Sequence, residues 1–243
     1  MNVDVLAVGA HPDDVELGVG GLVHKLSQCG YRVAMLDLTH GEMSTRGTVE
    51  ERVVEAAQAA RILGVLARDN AGLPDGAVAN TAEQQRQVIP FLRRYRPRIL
   101  LAPHVPDRHP DHAAAHALLR DANYLSGLAR IETGLPAYRT PQAFFYHPYY
   151  ESWDAPPVIV DISAHFEAKV ASLRAHASQF YNPDYEGAAT KISSKEFWDS
   201  IETRAAYWGS RAGFRYGEPL FTLEPVGVKL PPGLGPAAEE DAP

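Results

Sequence analysis

Short apolar segments alternate with longer amphipathic segments along the first half of the chain, and this alternation constrains the fold most strongly. Residues 3–10 and 32–38 have the composition of buried strands, and residues 14–29 between them carry apolar side chains at helical spacing. The alternation continues with predicted helices at 50–63, 82–95 and 110–123 and predicted strands at 65–70 and 98–102. Such a pattern is typical of βαβ units around a parallel sheet. We therefore expect an α/β, Rossmann-like fold, with a mostly parallel sheet and helices on both of its faces.

The second half of the chain is less regular. The sequence predicts strands at 143–147 and 158–162, helices at 163–178 and 194–212, and a late strand or extended arm at 220–225. No linker divides the chain, so we expect one domain over residues 1–230. Residues 231–243 are rich in proline, glycine, alanine and acidic residues, and we expect them to be disordered.

Composition excludes several classes of protein. The 243 residues include 23 lysines and arginines against 30 acidic residues, a net charge of −7, which argues against nonspecific nucleic-acid binding. No apolar run approaches the length that would span a membrane, and the N-terminus does not resemble a signal peptide. The single cysteine, Cys29, cannot form an internal disulfide, so we expect a cytoplasmic protein.

Polar clusters follow two of the predicted strands. Ala10-His11-Pro12-Asp13-Asp14 follows the first strand, and residues 103–112 (PHVPDRHPDH) follow the strand at 98–102. Each cluster contains a His-Pro-Asp turn that leads into a helix. Ligands of open parallel sheets bind at the carboxyl ends of the strands, so the two clusters are expected to form one site.

A metal suits this site better than a nucleotide does. A dinucleotide-binding fold has a glycine-rich fingerprint in the first loop, whereas this loop holds an imidazole and two carboxylates, and residues 18–21 (GVGG) fall inside the predicted helix. Asp13 and Asp14 point about 100° apart around the helix axis, so one can bind a metal while the other faces the attacking water. His11 and one of these carboxylates are suitable zinc ligands, and His109 or His112 would complete an open catalytic site. The competing interpretation is that each His-Pro-Asp only caps a helix.

His116 lies four residues after His112, a spacing at which both could bind a metal. Ala113 stands where a zinc-binding helix of that type has its glutamate, so we interpret His116 as a core or helix-face residue.

Together, Ala10-His11-Pro12-Asp13-Asp14 and His109-Pro110-Asp111-His112 resemble the motifs of the LmbE/PIG-L zinc-dependent N-acetyl-sugar deacetylases. The resemblance extends from Val3 to about Phe221. It includes residues 37–39 (DLT), 47–48 (GT) with 51–52 (ER), 73–75 (LPD) and 178–180 (SQF). Residues 107–112 and 178–180 are most similar to the branch that deacetylates N-acetylglucosaminyl-malate in bacillithiol biosynthesis.

The resemblance implies a role for each matching residue. His11, Asp14 and His112 would bind Zn²⁺, with Fe²⁺ as an alternative metal. Asp13 would act as general base, His109 would stabilise the oxyanion as an imidazolium, and Asp111 would orient His109. The resemblance also implies a homo-oligomer.

The resemblance also implies substrate contacts. Arg52 and Arg108 would bind the substrate through its malate carboxylates, or would form ion pairs within the protein instead. His176 aligns with a tyrosine that lies near the carbonyl oxygen in relatives, and would be the second oxyanion donor or else a helix-surface residue. Tyr149 and Tyr150 are the other candidates for this donor, with packing or the rim of the site as their alternative role.

Two alternative functions stay open on the sequence. The first is a deacetylase or amidase that acts on another N-acetyl sugar or on a thiol conjugate. The second is a nucleotide-binding Rossmann-like module without catalysis, whose polar loops only cap helices.

Overall fold

The computed structural model describes residues 1–148 and 155–227. Its strands span Val5–Gly9 (β1), Val33–Asp37 (β2), Ala67–Asn70 (β3), Ile99–Pro103 (β4), Gln142–Tyr146 (β5), Val158–Asp161 (β6) and Gly217–Leu220 (β7). Its helices span Asp14–Gln28 (α1), Val49–Leu63 (α2), Ala82–Tyr95 (α3), Pro110–Ser126 (α4), Phe166–Ala175 (α5) and Lys195–Arg211 (α6).

Five strands form a parallel sheet in the order β3-β2-β1-β4-β5. A second, antiparallel sheet contains β6 and β7. The two sheets are linked by the backbones of Phe145 and Phe221, which exchange two hydrogen bonds of 2.8 Å. The predicted α/β, Rossmann-like fold is therefore confirmed.

The strands are buried on both faces because helices cover both sides of the parallel sheet. On one side, Leu6 and Val8 of β1 pack with buried residues of α3 and α4 such as Ile89 and Leu118. On the other side, Val5 and Ala7 of β1 pack with apolar residues of α1 and α2. Such two-sided burial explains why these strands are continuous apolar runs rather than alternating ones.

Local signals in the sequence fix the ends of the helices. Thr48 and Glu51 form a capping box at the start of α2, and Gly64 ends that helix in the left-handed conformation with a φ of 70°. Thr81 accepts a hydrogen bond from the Gln84 N–H at the start of α3.

The topology places the two His-Pro-Asp loops side by side. Strand β1 pairs with β2 on one edge and with β4 on the other, so the sheet continues in opposite directions from this point. The loops after β1 and β4 both leave the carboxyl edge of the sheet here. In open α/β sheets, such a switch point leaves a crevice that binds ligands.

Some details differ from the sequence-based expectations. Helix α3 contains Pro90 within its span, and α1 is interrupted at Val19 rather than continuous. Helix α5 ends at Ala175, short of the expected 178, and the last strand spans 217–220 rather than 220–225. Tyr149, Tyr150 and the predicted disordered segment 231–243 lie outside the described residues. Among the helices of the described part of the chain, none is both long enough and apolar enough to cross a membrane.

Candidate metal centre and active site

The loop after β1 presents the first half of the site. The His11 backbone N–H donates to Asp14 Oδ2 at 2.9 Å, which fixes the Asp14 carboxylate against the turn. Asp13 precedes α1 with a φ of 141°, a conformation that costs a non-glycine residue energy and is kept where function requires it. Gly9 is needed beside this turn because a Cβ there would lie 2.9 Å from the His11 carbonyl oxygen.

The loop after β4 presents the second half. His109 caps α4 by accepting a hydrogen bond from the Asp111 N–H at its Nδ1, and Pro110 occupies the first helical position. The His109 backbone N–H donates to Asp107 Oδ1 at 2.8 Å. His112 follows on the first turn of α4 and is buried.

The two loops bring His11, Asp14 and His112 together. His112 Nε2 lies 3.2 Å from Asp14 Oδ1, and His11 Nδ1 lies 3.5 Å from Asp14 Oδ2. Ligand atoms around a tetrahedral zinc ion, at bonds of about 2.0–2.1 Å, lie about 3.3–3.4 Å apart. The donor set, two imidazole nitrogens and a carboxylate, also matches the zinc chemistry of catalytic sites. In donor type and in the distance of each imidazole from Asp14, these residues therefore fit a divalent metal.

Further nitrogen and carboxylate atoms surround His11. One group consists of a ring nitrogen from each of His11, His109 and His112, and these three atoms all lie within 4.8 Å of one another. A second such group joins His11 to Asp75 and Asp111. Both groups share His11, so the structure offers more than one combination of ligands around this imidazole.

Carboxylates contact the far sides of the candidate ligands. His11 Nε2 lies 3.1 Å from Asp75 Oδ1 and 3.3 Å from Asp111 Oδ2. His112 Nδ1 lies 3.1 Å from Asp107 Oδ2, at an angle unfavourable for a hydrogen bond. Carboxylates in such positions fix the orientation of metal-binding imidazoles. The family resemblance implied that Asp111 orients His109. Here the Asp111 carboxylate lies against His11 instead.

The sequence alone indicates no role for Asp75 or Asp107. Asp75 belongs to the segment 73–75 that contributed to the family resemblance, and it follows β3 at the same sheet edge. Its position after a predicted strand is the feature of the sequence that could have indicated Asp75 as a site residue. Asp107 lies two residues before His109 in the polar cluster, but nothing in the sequence distinguishes it as a partner of His112.

The surroundings of the candidate ligands shift their ionisation. Burial lowers the pKa of His112, but Asp14 and Asp107 outweigh it and raise that pKa to about 9. Burial likewise lowers the pKa of His11, but hydrogen bonds to Asp111, Asp14 and Asp75 raise it well above the usual value. Burial raises the pKa of Asp14, but the two histidines hold it well below its usual range. The Asp14 carboxyl group is therefore ionised at neutral pH.

Asp13 has a different environment from Asp14. Burial raises the pKa of Asp13 to about 6, although Arg52 opposes that rise. A carboxylate with a pKa near neutrality is suited to accept and return a proton.

Arg52 contacts the protein rather than open solvent. Its guanidinium is buried and donates to the Pro12 carbonyl at 2.9 Å, to Asp13 Oδ2 at 3.3 Å and to the Gly41 carbonyl at 3.1 Å. Gly41 has a φ of 68°, and a Cβ there would lie 1.9 Å from an Arg52 nitrogen. Arg108, in contrast, is exposed beside the site.

The structure does not bring His176 to the site as an oxyanion donor. Its ring is fully buried, and its Nε2 lies 3.0 Å from Glu16 Oε1. Glu16 also pairs with Arg68, which binds Asp37 through two nitrogens. Because α5 ends at Ala175, the His176 ring enters this buried network instead of the cavity.

A cavity of about 440 Å³ opens over the candidate ligands. This volume is within the range of small-molecule sites. His11, Asp13, Asp14, His109 and His112 line its floor. The remaining walls come from Leu17, Arg52 and the segments 43–45, 75–76, 107–108, 179–180 and 190–192.

Known proteins are similar to this chain in sequence and in fold. The family model of the GlcNAc-PI de-N-acetylases (PIG-L) matches residues 6–123, which include both His-Pro-Asp loops. The diacetylchitobiose deacetylase of Thermococcus kodakarensis is 31% identical, over 95% of this chain and 84% of that protein. The chain belongs to the PIG-L family.

Solved structures related to this PIG-L family member cover nearly the whole chain. A conserved protein from Thermus thermophilus is 37% identical with a TM-score of 0.86, covering 96% of this chain and all of that chain. The N,N'-diacetylchitobiose deacetylase of Pyrococcus horikoshii is 28% identical with a TM-score of 0.75, covering 89% of this chain and 82% of that chain. The family resemblance in the sequence is thereby confirmed, whereas neither relative is described as acting on a malate-linked sugar.

Proposed function

We propose that this protein is a metal-dependent deacetylase that hydrolyses the acetamide of an N-acetylglucosamine-type sugar. The observation that carries this proposal is the convergence of His11, Asp14 and His112 on the floor of the cavity, with Asp13 beside them. Membership of a deacetylase family supports it.

The metal-binding residues we propose are His11, Asp14 and His112. A divalent ion held by them, Zn²⁺ or Fe²⁺, would supply Lewis acidity for the attacking water and the amide carbonyl. Asp75 and Asp111 would orient His11, and Asp107 would orient His112, through the contacts described above.

The chain's own side chains account for the proton transfers. Asp13 accepts a proton from the water as its oxygen attacks the acetamide carbon, and His109 donates to the carbonyl oxygen as negative charge develops there. The bond between the carbonyl carbon and nitrogen then breaks, and the leaving nitrogen takes a proton from Asp13 or His109. The products are acetate and the free amino sugar.

For the substrate, we propose N-acetylglucosaminyl-malate, as in the bacillithiol branch of the family. Two exposed cations, Arg108 and Lys191, lie at the cavity and are suited to the malate carboxylates. Arg52 is less suited to this role because its nitrogens already donate to Pro12, Gly41 and Asp13. The competing substrate class is a neutral N-acetyl sugar, such as the one named for the archaeal relatives.

The decisive experiment is acetate release from N-acetylglucosaminyl-malate by the purified protein, with and without a chelator. We expect activity that chelation abolishes and zinc restores. A panel with N-acetylglucosamine, diacetylchitobiose and a thiol conjugate tests the substrate class, and equal kcat/KM with and without malate would refute the malate assignment. Absence of bound metal in protein purified without chelator would favour the non-catalytic nucleotide-binding module.

A further inference from the structure

Helix α1 consists of two helical pieces that meet at Val19, whose φ of −139° and ψ of 22° are not helical. The N-terminal piece is about one turn long, begins at Asp14 and follows directly on Asp13. The break lies within residues 18–21 (GVGG), the glycine-rich stretch for which the proposed reaction has no use.

Two of these glycines are required by close packing at the break. A Cβ on Gly18 would lie 2.1 Å from the Tyr146 ring, and a Cβ on Gly21 would lie 2.7 Å from Ile162 Cδ1. These close contacts account for the glycines without phosphate binding.

Two buried side chains bridge the break. In a regular α-helix, the Gly21 N–H would donate to the Leu17 carbonyl. Here Lys169 Nζ donates to the Leu17 carbonyl at 2.7 Å, and the Gly21 N–H donates to Glu218 Oε1 at 3.0 Å. The Leu22 N–H donates to Glu218 Oε2 at 2.7 Å, and Lys169 Nζ donates to Glu218 Oε1 at 2.6 Å. A continuous network of hydrogen bonds therefore connects the two helical pieces.

The charges of Lys169 and Glu218 complement the partial charges of the two helix ends at the break. The ammonium of Lys169 lies at the carbonyl end of the first piece, and the carboxylate of Glu218 lies at the N–H end of the second, so each complements the local helix dipole. Lys169 is 4% exposed and Glu218 is 2% exposed. Removing one member would leave the other charge buried without its partner, which is costly.

The two bridging residues come from elements outside the parallel sheet. Lys169 is on α5, and Glu218 is on β7 of the small antiparallel sheet. A single helical turn cannot maintain its own geometry without tertiary contacts. Two residues from the C-terminal third of the chain therefore help to fix the tilt of the first piece of α1, together with the contacts of Glu16 with Arg68 and His176.

We propose that the Lys169–Glu218 pair is a positioning device that holds the first turn of α1 so that the Asp14 carboxylate meets His11 and His112. This inference rests on the metal site of the proposed function. Lys169 and Glu218 are positioning residues in it, because they act on the metal ligand through the backbone of α1.

The test compares the parent protein with Glu218→Gln and Lys169→Met. Lys195→Met is the matched control, because it removes a lysine from an exposed ion pair with Asp199 on α6. The zinc dissociation constant of each metal-free protein is measured by competition with a chromophoric chelator. We expect zinc binding to weaken by about 10- to 100-fold in the two bridge variants and to be unchanged in the control.

Hydrogen exchange of the metal-free proteins supplies a second measurement that does not depend on zinc. We expect faster exchange of the amides at 14–18 in the bridge variants, with the protection of β1 unchanged. If Lys169→Met does not fold, Glu218→Gln and Lys169→Arg decide: Lys169→Arg, which keeps a cationic donor, should bind zinc nearly as well as the parent.

Two outcomes separate this inference from the proposed function. Folded Glu218→Gln that binds zinc as tightly as the parent and exchanges equally at 14–18 overturns the positioning role. A parent protein that binds no zinc refutes the proposed metal site instead, and the exchange at 14–18 then decides alone whether the pair holds this turn.

Discussion

Replacing Arg52 with methionine removes the buried cation beside the proposed general base. Arg52 lies 3.3 Å from Asp13 Oδ2 and also donates to the Pro12 and Gly41 carbonyls. Methionine retains much of the side-chain volume but neither the charge nor the donors. The substitution therefore tests whether Arg52 serves Asp13 or the substrate.

The size of the effect follows from the pKa of Asp13. Burial raises that pKa to about 6 while Arg52 opposes the rise. A neighbouring cation lowers the pKa of a carboxyl group by about 1–3 units, so its loss should raise the pKa of Asp13 to about 7–9. The ionised fraction at pH 7 then falls from about nine-tenths to between about one-half and one-hundredth. We expect kcat/KM at pH 7 to fall by about 2- to 90-fold and to recover as the pH rises.

The assay is the pH profile of kcat/KM for acetate release. A base must be ionised to act, so a higher pKa moves the acidic limb of the profile to higher pH. Arg93→Met is the matched control, since Arg93 is also buried and donates to backbone carbonyls, among them those of Ser126 and Leu128, away from the cavity. The control should lose stability without moving the limb.

The two roles of Arg52 predict different results. An acidic limb at the same pH in Arg52→Met and in the parent would refute the proposed support of Asp13. A higher KM that is confined to carboxylated substrates, with an unmoved limb, would show that Arg52 binds the substrate as the family resemblance implied.

Four further substitutions, at Asp13, His112, His109 and Glu16, test other parts of the protein. Asp13→Ala should lower kcat by about 10²–10⁴-fold while zinc stays bound, and a fully active variant would exclude Asp13 as the base. His112→Ala should lose zinc, whereas His109→Ala should keep zinc and lose about 10²–10³-fold in kcat; the opposite zinc contents would exchange their roles. Burial raises the pKa of Glu16, but Arg68 and His176 outweigh burial and lower this pKa from 4.5 to about 2. The ionised Glu16 therefore stabilises the fold above pH 4.5, and this stabilisation is lost as the pH falls to 2. Urea unfolding of metal-free protein should show an acid-dependent loss of about 3 kcal/mol over this range that Glu16→Gln lacks, and identical pH curves would contradict the assignment.

The parallel sheet could be predicted from the sequence because its strands are short apolar runs between amphipathic helices. Both faces of the sheet are covered, so residues such as Leu6 and Ala7 are buried on opposite sides of the same strand. The break of α1 could not be predicted, because the residues that bridge it, Lys169 and Glu218, come from distant parts of the chain.

In the candidate site, likewise, the motifs could be predicted from the sequence but the contacts between loops could not. The two His-Pro-Asp motifs could be predicted to form one site because each follows a strand end, whereas the choice of His11, Asp14 and His112 among their residues came from the family resemblance. The partners of these residues depend on packing between loops, so the contact of Asp75 with His11 had no pattern of its own in the sequence. His176 was assigned by its place beside residues 178–180, whereas the end of α5 turns its ring to Glu16.

The proposed function requires that two loops, one after β1 and one after β4, hold one divalent metal. The most direct test is an anomalous difference map, recorded at the zinc edge from crystals of the zinc-loaded protein. We predict one peak per chain on the cavity floor, about 2.0–2.2 Å from His11, Asp14 and His112. A peak bound by Asp75 and Asp111 without His112, or no peak in the cavity, would contradict the account.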